Sequence, residues 1–247
     1  VTITRLPLFP LNTVLYPGLV LPLNVFEQRY RALMAELLKE PEDGPRSFAV
    51  IAIRDGHEVA PTSLGLPDDS EPPQAGPGAG FAADPLESFY EVGCVADAST
   101  IRERPDGSGY EVMATGTTRF RLRSVTVGEY FLTGEVELLP EEEGEGAVPL
   151  ASGVLRAFRA YQKQLASAME RTLTSEQELP DEPSVVSYLV AAATLLTTPD
   201  KQLLLAAPDT AARLARELKL LRRETALIAE LPSVPGADFT HRPTYLN

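Results

Sequence analysis

The residue types that most often carry catalysis are scarce in this chain. Among its 247 residues are two histidines, His57 and His241, one cysteine, Cys94, and no tryptophan. His57-Glu58 begins like the H-E-x-x-H of a helical zinc site. The fifth position is Pro61, which breaks the helix that would carry the second imidazole to the same face. A single cysteine allows neither an intrachain disulfide nor a zinc site built from cysteine pairs. Cys94 has apolar neighbours in Val92 and Val95 and reads as a buried thiol within a strand, with no histidine evidently in reach. A phosphate-cradling G-x-x-x-x-G-K-[ST] loop needs a lysine behind a glycine. The four lysines, Lys39, Lys163, Lys201 and Lys219, all follow other residues. No G-x-S-x-G nucleophile elbow is present. Gly76-Pro77-Gly78-Ala79-Gly80 is glycine-rich, but it follows no clear strand and opens no helix, so it reads as flexible loop. The expectation is a binding protein and not an enzyme, with no cofactor and no metal.

Three groups of residues have the chemistry of binding. The first is the bend Leu15-Tyr16-Pro17-Gly18-Leu19, where apolar side chains on a rigid turn would suit an unfolded chain if they were exposed. Burial preference instead places Tyr16 and Leu19 in the core. The second is Arg119, Arg121 and Arg123, alternate residues of one strand and therefore neighbours on one face. Such a row suits an acidic partner or RNA, or else cross-strand pairing with acids such as Glu91 or Glu111. The third is Arg213, Arg216, Lys219, Arg222 and Arg223 on the last helix. Arg216, Lys219 and Arg223 recur at helical spacing and read as a solvated face.

The elements that position these groups fall into two regimes. Residues 1–150 hold 11 Lys/Arg and 24 Asp/Glu, whereas residues 151–247 hold 11 of each, so the whole net charge of −13 lies in the first part. An acidic surface disfavours nucleic acid, whose binding depends on neutralising phosphates. The first regime is strand and turn. Short apolar runs at Leu6–Phe9 and Leu19–Leu23 are broken by prolines that suit edges and bends. A capping-box pattern at Asn24–Glu27 opens a helix through Leu38. Strands are predicted at Ser47–Arg54, Tyr90–Glu103, Tyr110–Arg123 and Tyr130–Leu139, with a turn at Pro105-Asp106-Gly107 and a bulge at Gly116. Residues 61–85 contain ten Gly or Pro and read as a mobile loop.

Glu141–Gly146 reads as a polar hinge, within a hinge segment 141–150. The second regime is helical. Apolar stripes run through Val154–Leu173, Val185–Leu196 and Leu214–Leu231, and Thr198-Pro199-Asp200 supplies a helix start. The expected class is α+β: a pseudo-barrel of mostly antiparallel strands with one helix (1–140), a helical bundle (151–231) and a loose tail (232–247). No run approaches the roughly 20 apolar residues of a membrane span. The N-terminus lacks a charged region followed by an apolar stretch. Soluble and cytoplasmic is the expectation.

The ordered set Leu6-Pro7-Leu8-Phe9-Pro10-Leu11, Tyr16-Pro17-Gly18, Leu21-Pro22-Leu23 and Phe26-Glu27-x-Arg29-Tyr30 resembles the opening of the Lon protease N-terminal domain. Val92-Gly93-Cys94-Val95, Gly116-x-x-Arg119-Phe120 and Ala207-Pro208-Asp209-Thr210 extend the resemblance over roughly residues 4–231. It implies a PUA-like β lobe, a helical bundle, and a role in recognising unfolded or tagged protein substrates or a protease or chaperone partner, as a stand-alone bacterial form. Because neither the ATPase loop nor the Ser-Lys peptidase region is found, it implies a Lon-like protein without catalysis. RNA binding through the PUA-like lobe is the alternative.

Overall fold

The strand runs become one mixed sheet because their apolar residues serve two cores. The computed structural model describes residues 2–41, 44–54, 76–81, 83–168 and 180–230. Most of the loop 61–85, His57, Glu58, Met169, Leu173, the tail 232–247 and His241 lie outside them. The chain divides into two compact units, one running to Pro140 and the other starting at Glu141.

In the first unit, β1 (Ile3–Leu11), β2 (Val20–Val25), β3 (Ser47–Ala52), β4 (Val92–Glu103), β5 (Tyr110–Val127) and β6 (Leu132–Leu138) form a sheet in the order β2-β5-β4-β3-β1-β6. The 18-residue β5 also pairs with β6, which closes β1, β3, β4, β5 and β6 into a barrel and leaves β2 as an outer edge. Only β1 and β3 run parallel among the named pairs. Strand alternation divides the apolar residues between the two faces. Leu8, Ala49, Ile51, Phe120 and Val136 cluster inside the barrel. Phe9, Phe48, Val50, Cys94 and Val112 cluster on the other face, with Tyr30, Leu33, Met34 and Leu37 of α1 (Gln28–Leu37). Phe9 stacks on Tyr30 with ring centroids 4.5 Å apart. Each such buried aromatic contributes about 1.5–3 kcal/mol relative to exposure. Two buried faces explain why β3 reads as an unbroken apolar run.

The start of α1 differs from the sequence expectation. Its N-cap is Glu27 with no side-chain capping bond, while Asn24 belongs to β2 opposite Glu111. The Glu27 carboxylate accepts instead from Arg29 at 3.0 Å. Phe26 is exposed, so the apolar stripe begins at Tyr30. Arg29 also donates to the carbonyl of Ala79 at 2.9 Å and lies over the rings of Tyr30 and Phe81. The Gly76–Gly80 stretch, expected to be flexible, is thus held by an arginine.

In the second unit the seam of α2 (Ala147–Ala168) is Ala147, Ala151, Val154, Phe158 and Tyr161, and it meets Ala211, Leu214, Leu218 and Leu221 of α5 (Thr210–Glu230). The 4-3-4-3 spacing on α2 and 3-4-3 spacing on α5 are those of coiled-coil-like packing. Between them lie α3 (Pro183–Ala193) and α4 (Thr198–Leu205). α3 ends at Thr194, so Leu195 and Leu196 lie beyond it, and Val185 points outward. α4 is capped one residue earlier than expected: Thr197 Oγ1 accepts from the Asp200 amide at 3.3 Å. The segment 141–150, read above as a hinge, contains the first turn of α2 and is bound to the second unit through Glu141.

Candidate functional site

The predicted bend is anchored, and its anchoring moves the exposed apolar groups along the chain. Gly18 adopts φ +79°, which favours glycine, and donates to the Gly116 carbonyl at 2.8 Å, while the Gly116 amide donates to Leu19 at 2.8 Å. A Cβ on Gly116 would lie 2.3 Å from the Tyr16 carbonyl oxygen, so the bend sits directly on β5. Gly116 also borders the predicted irregularity: the register steps from Cys94–Arg119 to Ala96–Gly116, leaving two β5 residues opposite Val95. The consequence for the site residues is clear. Leu15 and Tyr16 are buried and Pro17 and Leu19 are half-buried, so the bend is mainly core.

The exposed apolar groups lie immediately after it. Val20 is 62% exposed and Met113 42%, and Pro22 pairs with Met113 across the strands. Val20, Pro22 and Asn24 alternate with the inward Leu21, Leu23 and Val25, so Val20, Pro22, Met113 and Thr115 share the outer face. The Gly116-to-Leu19 bond sets the ladder phase: residues 19, 21, 23 and 25 bond to β5, and 20, 22 and 24 present their backbone to the open edge. Pro22 has no N–H to offer there. The edge is blunted against addition of another strand, while the side chains beside it remain available.

The arginine row is not an open cationic surface. Arg119 is buried and donates to the Pro140 carbonyl at 3.3 Å. Arg121 pairs with Glu91 at 2.7 Å and Arg123 pairs with Glu137. Glu91 was one of the two acids expected; Glu111 lies 3.9 Å from Arg104 instead. The α5 stripe Arg216, Lys219 and Arg223 is exposed along its length, as a solvated face is. Arg213, which lies outside that stripe, is completely buried. Its position, at the flank of the Leu214–Leu221 seam, looks from sequence like any surface arginine. A shallow depression among strands of the barrel, lined by Thr4, Leu6, Ser47, Val95, Thr118 and Leu138, adds little polarity, since the Ser47 hydroxyl is already bonded to Asp97.

Burial sets the state of two further groups. Desolvation pushes the Cys94 thiol up to about 12, against smaller lowering effects from the Thr117 backbone and Arg119. Burial likewise raises the Glu217 carboxyl well above its ordinary value, partly opposed by Arg213. Among the described residues no three His, Cys, Asp or Glu are grouped to hold a metal, and no helix is long and apolar enough to cross a membrane.

Comparison with known proteins places this architecture. The chain is 28% identical over 214 residues to Lon protease 2 of Syntrophobacter fumaroxidans, covering 85% of this chain and 23% of that protein. It is 31% identical over 142 residues to Lon protease 1 of Thermus thermophilus, covering 56% and 18%. It therefore spans about a quarter or less of these curated relatives. A Lon N-terminal domain protein from Xanthomonas campestris superposes with a TM-score of 0.54 at 23% identity, covering 87% of this chain and 98% of that one. The N-terminal domain of a Mycobacterium avium complex Lon protease gives 0.55 at 16%, covering 90% and 98%. These two likenesses concern the fold. The model of the ATP-dependent protease La (LON) substrate-binding domain matches residues 5–223, and the chain belongs to that family.

Proposed function

We propose that this domain binds unfolded or tagged polypeptide without catalysing a reaction itself, and presents it to a proteolytic or chaperone partner. The observation that carries the reading is the exposed apolar strip Val20–Pro22–Met113 on a domain of a substrate-binding family. Adjacent exposed apolar side chains at a blunted edge favour contact through side chains over strand addition. Full burial of a Val- or Met-sized side chain is worth about 1.5–3 kcal/mol, enough for roughly tenfold to hundredfold in affinity.

The test is titration of a permanently unfolded, reduced and carboxymethylated protein, followed by fluorescence anisotropy. Saturable binding that falls at least tenfold in a Val20→Asp/Met113→Asp variant, with an unchanged thermal midpoint, is expected. No saturable binding by the unmodified protein would overturn the reading. An Arg121→Glu/Arg123→Glu variant serves as control, because both arginines already face carboxylates. Salt-dependent RNA affinity abolished by that pair of changes would transfer the function to the nucleic-acid alternative.

A further inference from the structure

We infer that Glu141–Gly144 is a charge-locked strap that docks as part of the helical unit and caps its last helix. A helix leaves its first amides without intrahelical acceptors. In α5 those of Thr210 and Ala211 donate to the carbonyls of Glu142 and Glu143, each at 2.9 Å, and that of Ala212 to Asp209 Oδ1 at 2.7 Å. Two of the three acceptors thus come from a segment more than 60 residues earlier in the chain. Gly144 lets the strap run close: it adopts φ +76°, and a Cβ there would lie 2.6 Å from Asp209 Oδ1 and 2.9 Å from Ala211 Cβ.

The lock is Glu141. Its Oε1 accepts from Arg213 Nη2 at 2.9 Å and from Thr210 Oγ1 at 2.8 Å, and its Oε2 accepts from Tyr188 Oη at 2.5 Å. Arg213 is fully buried; Nε donates to the Leu204 carbonyl at 3.2 Å, Nη1 to Ser187 at 2.8 Å, and the guanidinium lies 4.0 Å from the Tyr188 ring centroid. The carboxylate that balances this cation is therefore supplied by the strap. Undocking would strip two amides of their acceptors and leave Arg213 buried without that carboxylate. Either loss alone disfavours a half-open state, so the strap is docked in full or released in full.

Amide hydrogen exchange on the full chain tests this. The Thr210 and Ala211 amides are expected to share the protection of the α2–α5 core. Glu141→Ala should speed their exchange at least tenfold while leaving amides of β3 and β4 unchanged. Should that variant fail to fold, Glu141→Ala combined with Arg213→Met removes the buried charge and is expected to restore folding, with the two amides still fast. Fast exchange of Thr210 and Ala211 in the unmodified protein would overturn the strap, as would protection that survives Glu141→Ala.

Discussion

Glu217 offers a sharp check on the energetics of the helical unit. It is 2% exposed, and neither carboxylate oxygen accepts a hydrogen bond among the described residues. Arg213, one turn earlier, attracts it through space, but the hydrogen bonds of that guanidinium go to Glu141, Ser187 and Leu204. Burial thus dominates and raises the folded pKa above the ordinary 4.5. A raised folded pKa gives a contribution present in full below the unfolded value and lost as pH rises through the folded one. Between those limits the native state binds more protons than the unfolded chain, and stability falls by at most about 1.4 kcal/mol per pH unit. Glu217→Gln keeps the shape and removes the titration. The variant is expected to match the parent near pH 4 and to be more stable at pH 7, by about 1.4 kcal/mol for each pH unit over which the native carboxyl holds its proton beyond the unfolded one. Urea unfolding at pH steps from 4 to 8 measures the difference. A stability difference that stays constant across that range would refute the reasoning, because desolvation of a titrating carboxyl requires it to grow with pH.

Two further outcomes follow from the first unit. Cys94, fully buried with its thiol pushed up to about 12, should resist iodoacetamide at pH 8 in the native protein and react at the rate of a free thiol in urea; rapid native labelling would contradict its place in the core. Gly116→Ala should destabilise by roughly 1–3 kcal/mol in urea melts, since its Cβ would press on the Tyr16 carbonyl and the Cys94 sulfur, at 2.3 and 3.1 Å. A neutral substitution there would mean that the bend does not sit on β5.

The parts of this fold that were legible are those in which neighbours in sequence are also neighbours in space. The unbroken apolar run Phe48–Ala52 reports a strand buried on both faces, and the spacing of Val154, Phe158 and Tyr161 reports one buried helix face. Closure of the barrel by β5 and β6 was not read from local pattern, because nothing local distinguishes a strand that pairs on both sides along part of its length. The burial of Arg213 and Glu217 was not legible for a related reason. At i and i+4 they resemble an exposed ion pair, and what buries them is distant: Glu141, Ser187 and Leu204 for the arginine, and tertiary desolvation for the acid.

The proposed binding strip is the converse case. The motif around Tyr16-Pro17-Gly18 drew attention to its own side chains, whereas the two glycine contacts, Gly18 to Gly116 and Gly116 to Leu19, commit that bend to the scaffold. The signal for the exposed groups lay one step later, in Val20-Leu21-Pro22-Leu23-Asn24-Val25. A strand that buries Leu21 and Val25 needs nothing apolar on its other face, yet Val20 and Pro22 are there, with Met113 beside them. Pro22 cannot be explained as a ladder residue, because its backbone faces the open edge. It is best understood as a guard that keeps the edge from pairing while Val20 and Met113 stay accessible. On that argument, Pro22→Val would restore the missing edge donor. The variant should gain self-association, measurable by sedimentation velocity, without gaining affinity for the unfolded test protein. Rising affinity in step with self-association would instead identify the strand edge as the binding element.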